Sequence, residues 1–219
     1  MELDAVQIRI LGCLIEKERT TPDSYPLSTN ALVNACNQSS NRDPVVDFDE
    51  RTVDGAMLEL RTAGLARTIT GGRANKHRHV ADEAWDASPA ELAVVAVLFL
   101  RGPQTVGELR ARTERMYDFD SLHGLERCLS GLAARSEPFV EHLGRQPGQK
   151  ERRWAHLLGA DAPDMWASTG VAEPDAHRAT DPAPPSAVGD DELRAEVTRL
   201  RADVDRLYEL LGESPGEHE

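Results

Sequence analysis

The chain reads as mainly α-helical with small β-hairpins: two tandem winged helix-turn-helix domains followed by a C-terminal coiled-coil helix. Three observations predict it. Three helical stripes followed by an alternating hairpin fill the first 84 residues, the same order of elements then returns, and six aliphatic residues near the end are spaced 4-3-4-3-4. The expected divisions are residues 1–84 and 85–160 for the two domains, 161–191 for a linker and 192–212 for the last helix.

Val6, Ile10, Leu11, Leu14 and Ile15 form the first stripe, which runs to about Arg19 and stops before Thr20-Thr21-Pro22. After a polar loop, Ser28 or Thr29 caps a second helix carrying Leu32, Ala35 and Cys36 to about Gln38. Ser39 to Asp47 is a loop. Asp49 then precedes a third helix with Val53, Met57, Leu58 and Leu60 on one side, closed by Gly64. Leu65 to Thr70 alternates, Gly71-Gly72 turns, and Arg73 to Val80 returns, which is a hairpin signal. Helix, helix, helix, hairpin is the winged-helix order.

The second round starts at Ser88-Pro89-Ala90-Glu91, a capping box with Pro at the first helical position, ahead of an apolar helix through Leu100. Gly102-Pro103 ends it. Helices follow over Thr105 to Arg115 and Ser121 to Arg135, the latter with Leu122, Leu125, Leu129 and Leu132. Phe139 to Leu143 and Arg152 to Leu157 make a second hairpin, so an internal duplication is expected. Residues 161–191 hold seven acids and one base, with Pro174, Pro182, Pro184 and Pro185 among them, a composition that does not fold by itself. Leu193, Val197, Leu200, Val204, Leu207 and Leu211 then form a heptad seam that points to a homodimer through a parallel coil. The same helix folded back on the body is the alternative.

The longest uninterrupted apolar run, Leu92 to Leu100, is far short of the ~20 residues a spanning helix needs. No membrane association and no secretory signal are expected, and the chain is read as cytoplasmic. Cys13, Cys36 and Cys128, odd in number and set among apolar residues, suit reduced core thiols. The net charge of −13 is concentrated in the tail: from Gly159 onward there are 15 acids and 5 bases, while the preceding body is close to neutral. Overall acidity therefore decides little about partners.

The hairpins carry the basic residues. Arg67, Arg73, Lys76 and Arg78 in the first, and Arg145, Lys150, Arg152 and Arg153 in the second, are placed to lie along phosphates of double-stranded DNA; hairpin tips also carry bases simply to stay soluble. The third helices oppose groove insertion, because they start with Asp47-Phe-Asp-Glu50 and Asp118-Phe-Asp120 and so repel phosphate. Asn30, Asn34 and Asn37 share one face of the second helix, with Arg42 just beyond. They could meet bases or a partner's backbone, or fasten the neighbouring loops. His77 and His79 lie on one strand face without Cys or acid beside them, so no metal is expected. Met116, Tyr117 and Phe119 suit packing. No cofactor motif or catalytic signature stands out, and the chain is not read as an enzyme.

Several long segments carry a family likeness: Leu11-Gly-Cys-Leu-Ile-Glu-Lys17, the run Thr20 to Gln38, Asn41-Arg42-Asp43-Pro44-Val45, Leu100-Arg-Gly-Pro-Gln-Thr105, Gly107-Glu-Leu-Arg110, Met116-Tyr117, Pro138-Phe-Val140 and Gly148 to His156. Together they resemble the YceH family of bacterial cytoplasmic proteins. The resemblance implies a tandem winged-helix fold and an unassigned biochemical function, with no catalytic or ligand residues to carry over. The functional expectation is a DNA-binding, regulator-like protein that contacts phosphates through its hairpins. The alternative is a protein-interaction module that uses winged helices as a scaffold, with an unidentified protein partner.

Overall fold

The first helix, α1 (Ala5–Thr20), begins at a complete capping box: the Asp4 carboxylate accepts from Gln7 N at 2.8 Å, and the Gln7 side-chain oxygen accepts from Asp4 N at 3.0 Å. In this computed structural model the described residues are 2–70, 74–144 and 151–159. A 3-10 turn at Pro22–Ser24 leads to β1 (Leu27–Ser28), and Ser28 caps α2 (Thr29–Cys36). Asp49 caps α3 (Glu50–Thr62) by accepting from Thr52 N at 2.8 Å. Gly64, at φ +73°, then lets Leu65 N return to Leu60 O at 2.9 Å, which closes the helix end. β2 (Ala66–Ile69) and β3 (Lys76–His79) pair antiparallel with Ala66 opposite His79. β1 joins on the far side of β3, giving the sheet order β1-β3-β2.

The short α4 (Ala81–Trp85) leads to α5 (Pro89–Arg101), which opens with the Ser88/Glu91 capping box and ends at Gly102, φ +68°. α6 (Val106–Thr113) has its own box, Thr105 with Glu108, and α7 (Leu122–Ala133) is capped by Ser121. β4 (Val140–His142) and β5 (Trp154–His156) close the described chain as an antiparallel pair. Gln104 and Trp154 exchange main-chain bonds at 2.9 and 2.7 Å, so a residue just ahead of α6 bridges to β5 as β1, just ahead of α2, pairs with β3.

The protein is thus mainly helical with small antiparallel sheets. Its repeated order of three helices and a hairpin is consistent with winged-helix-like halves. Three elements were not foreseen: β1, the Pro22–Ser24 turn and α4. All three are shorter than the windows over which hydrophobic periodicity can be read. α2 stops at Cys36, before the expected Gln38, because Asn37 turns out as its cap and uses its side chain elsewhere.

Apolar residues from both halves form one buried cluster, and the described residues all fall in one compact unit. α1 and α5 are the seam. A Cβ at Gly12 would stand 3.0 Å from Leu100 Cγ and 3.1 Å from Phe99 Cβ, so only glycine permits the two helices to meet so closely. This seam explains why Leu92 to Leu100 is apolar all round: α5 faces its own half on one side and α1 on the other, and every residue in the run is buried. Trp85, one residue past the expected boundary at 84, packs edge-on against Phe99 and Phe139 with ring centroids 6.5 and 5.2 Å away. The expected linker (161–191) and the heptad positions Leu193, Val197, Leu200, Val204, Leu207 and Leu211 lie outside the described residues. Among those described, no helix is long and apolar enough to cross a membrane.

Candidate interaction surface

The first hairpin sorts its residues by strand alternation. His77 and His79 point inward and are buried, whereas Lys76 lies exposed on the opposite face and Arg78 is half-buried there. His77 sits between the hydroxyls of Thr29 and Thr68, at 3.0 and 3.1 Å, and its burial lowers its pKa. His79 Nδ1 accepts from Ala81 N, which leaves Nε2 to donate to Glu18 Oε2 at 3.0 Å. That bond is the chief reason Glu18 is held below the usual carboxylate range. Tyr25 Oη accepts from His79 N at 2.8 Å, and burial pushes the Tyr25 phenol up. Both imidazoles are thus engaged as internal struts.

On the outer face, Arg67 and Arg78 stand opposite each other and share one carboxylate, Glu83, at 2.9 and 3.2 Å. Lys76 is exposed opposite Ile69. In the second half, Arg152 is exposed, while Arg153 Nη1 donates to Pro103 O at 2.9 Å and to Glu108 Oε2 at 3.1 Å, tying the strand to the cap of α6. Arg73, Arg145 and Lys150 lie outside the described residues.

The asparagine face of α2 divides. Asn30 and Asn34 are exposed, but Asn37 donates to Phe48 O and accepts from Phe48 N, both at 2.8 Å, and so fixes the far end of the 38–47 loop. Arg42 requires a correction. Expected beside the asparagines as a base or partner contact, its side chain is fully buried and faces inward. It forks onto Glu16 at 2.6 and 3.1 Å and also donates to Gln38 Oε1, Ala35 O and Asn41 O. Burial opposes ionisation of both groups, yet the Arg42 bonds hold the Glu16 carboxylate below its ordinary range. Arg9, in the middle of the α1 stripe, is buried nearby and donates to Pro44 O. Sequence patterning gave no sign of either arginine's burial.

The cysteines are free. Cys13 and Cys36 are buried and Cys128 is half-buried, its thiol pushed up to about 12 by burial.

Among the described residues the exposed large hydrophobics are Val45 (59%), Leu58 (58%), Ile69 (50%), Leu122 (46%) and Tyr117 (40%). Leu58 is a second correction. Val53, Met57 and Leu60 follow i, i+4, i+7, and position 58, expected on the same side, falls about 130° off that line. Leu58 therefore points outward over a groove of about 400 Å³ walled by Arg61, Thr62, Ala66, Arg67 and Thr68. Leu122, the first residue of α7, follows the spacing of the buried Leu125, Leu129 and Leu132 but is exposed. Tyr117 stacks edge-on against Phe119 at 4.8 Å and lines a second groove of about 320 Å³ with Arg127, Gly124 and Gly131 of α7.

The fold and surface define a mainly helical protein of duplicated element order, with apolar side chains exposed on both third-helix regions. The chain belongs to the family described as a protein of unknown function, DUF480, whose family model matches residues 3–149. It is 48% identical over 223 residues to a UPF0502 protein of Pelobacter propionicus, across 100% of this chain and 99% of that one. A UPF0502 protein of Solibacter usitatus is 56% identical over 161 residues, covering 73% and 77% of the two chains. One of Geobacter sulfurreducens is 49% identical over 177 residues, covering 80% of each.

Proposed function

We propose that this protein is a winged-helix interaction module, in which the third helices and adjoining strands hold another protein and do not enter a DNA groove. The observation that carries the reading is the placement of exposed apolar groups. Leu58 lines a groove of the first half with Ile69 exposed on the neighbouring strand, Tyr117 lines a groove of the second half with Leu122 exposed at the start of α7, and Val45 lies in the 39–47 loop. A helix that reads bases presents polar side chains there. Glu50 and Asp54 add carboxylates where phosphate would approach, and Arg42 and Arg153 are already engaged inside the chain.

DNA contact through the hairpins is the second reading. It is favoured by exposed Lys76 and Arg152, and by the surface character of the Arg67 and Arg78 pairs to Glu83, since such pairs are worth about 0–1 kcal/mol and yield to phosphate. One experiment separates the two. The full-length protein and its Leu58→Asp/Ile69→Asp variant are compared for retention of a co-purifying protein and for capture of fragmented genomic DNA at near-physiological salt. The interaction reading expects a protein retained by the parent and lost by the variant. Enrichment of defined DNA fragments that disappears on Lys76→Ala/Arg152→Ala, with no protein lost on Leu58→Asp/Ile69→Asp, overturns it.

A further inference from the structure

β2 is the edge of the three-stranded sheet, with β3 on one side and, among the described residues, no strand on the other. Its register and the bond from Val80 N to Leu65 O at 2.9 Å fix which main-chain groups are used. Residues 65, 67 and 69 exchange bonds across to β3, and the N–H and C=O of Thr68 point away from it. Outside that edge runs the groove walled by α3, whose side carries Leu58 and Arg61. The opposite face of β2 carries Arg67 and Ile69, both exposed, and Arg67 also borders the groove. An added strand would therefore find one cation and one aliphatic group on each of its faces, beside a half-covered row of main-chain donors and acceptors. Exposed edges are ordinarily blunted by charge or covered; this one is short and basic.

We propose that the β2 edge takes an extended acidic and aliphatic segment of a protein partner as an added strand, paired main chain to main chain at Thr68. The segment's carboxylates meet Arg61 and Arg67, and its aliphatic side chains meet Leu58 and Ile69. The Arg67 pair with Glu83 is a surface pair and gives way readily. The inference rests on the protein-binding reading and specifies its mode.

The probe is a capped octapeptide of repeat Glu-Glu-Val-Val, which places one acid and one aliphatic residue on each strand face, titrated into the isotopically labelled full-length protein and followed by NMR. The expected result is a shift of the Thr68 amide and its neighbours, with exchange of the Thr68 amide slowed at least tenfold at saturation. Alternate N-methylation of the peptide, which removes strand donors and keeps its charge, should weaken binding at least tenfold, as should Arg61→Ala/Arg67→Ala. No binding at millimolar peptide, shifts that map elsewhere, or affinity indifferent to N-methylation overturns the inference. If the peptide fails while partner retention still depends on Leu58 and Ile69, edge pairing falls and the protein-binding reading stands. Loss of that dependence removes the reading itself.

Discussion

The two halves share an order of elements and are held together by opposite kinds of interior. In the first, α1 carries Arg9 and Glu16 inward, Arg42 forks onto Glu16 from the loop, and His79 bridges to Glu18. In the second, α5 buries nine consecutive apolar residues, Trp85 packs against Phe99 and Phe139, and His156 stands edge-on to Phe99 at 4.9 Å. His156 occupies the strand position that His79 holds in the first half: Val140 faces it across β4 and β5 as Ala66 faces His79 across β2 and β3. The difference teaches that element order constrains the backbone far more than it constrains core chemistry. Among the described residues a fully buried arginine is paired with a carboxylate in the first half, where it fastens a long loop, whereas the pairs of the second half, Arg135 with Glu91 and Arg153 with Glu108, stay partly exposed.

The sharpest way to break the contrast is Arg42→Ala, which takes the guanidinium fork from the half-buried Glu16 carboxylate and leaves it only Lys17 at 3.5 Å. The expected loss is about 3–5 kcal/mol, read as a lower urea midpoint, and Arg42→Lys should fail to restore it because an ammonium cannot fork onto both carboxylate oxygens. A fully stable Arg42→Ala protein would show that the loop needs no internal charge.

Acid should act on both halves through buried histidines, most strongly through His156 of the second and also through His77 of the first, and at lower pH on the first half through its carboxylates. Burial lowers His156 to about 4, against about 6.5 in an unfolded chain. Between those values the unfolded state binds a proton that the folded state refuses. The His156 contribution is therefore complete above about pH 6.5 and is lost as pH falls toward 4, at up to about 1.4 kcal/mol per pH unit. Glu16 and Glu18 have depressed pKa values, so their contribution holds above the unfolded carboxylate pKa of about 4.3 and disappears only below it. Unfolding midpoints measured from pH 7 to 4 should decline in the parent, and His156→Phe should flatten that decline. A variant with an unchanged slope would place the titrating group elsewhere.

Smaller effects come from two glycines. Gly12→Ala drives a methyl into Leu100 and Phe99 and should cost about 1–3 kcal/mol by thermal unfolding. Gly55→Ala, in a helix with nothing within 4 Å of the new methyl, should add about 0.5–1 kcal/mol instead. Equal destabilisation by both would mean that the α1 and α5 seam has no special tightness.

Much of the scaffold was legible because it rests on local chemistry. The Ser88/Glu91 box, the Asp49 cap and the Gly64 stop each appear in the chain where the sequence places them. The family resemblance stands at the level of DUF480 and the UPF0502 proteins, which are bacterial and without an assigned function. The surface was harder to read. Arg42 is the kind of residue that composition assigns to water, and only a carboxylate 26 positions away explains its burial. Leu58 has the right chemistry for a core and the wrong angle around its helix. By its sequence position Asn37 suits either a contact or a fastener, and its paired bonds to Phe48 make it a fastener.

The loop that Arg42 anchors also reaches across the seam. Asp43 N donates to Leu100 O at 2.8 Å, and Arg101 donates to Asn41. A fragment ending near residue 86 would lose both attachments and expose the α1 face that α5 covers, and its complement would expose a nine-residue apolar helix. Any assignment of activity by truncation would then report on sticky remnants, so dissection of this protein calls for point substitutions within the intact chain.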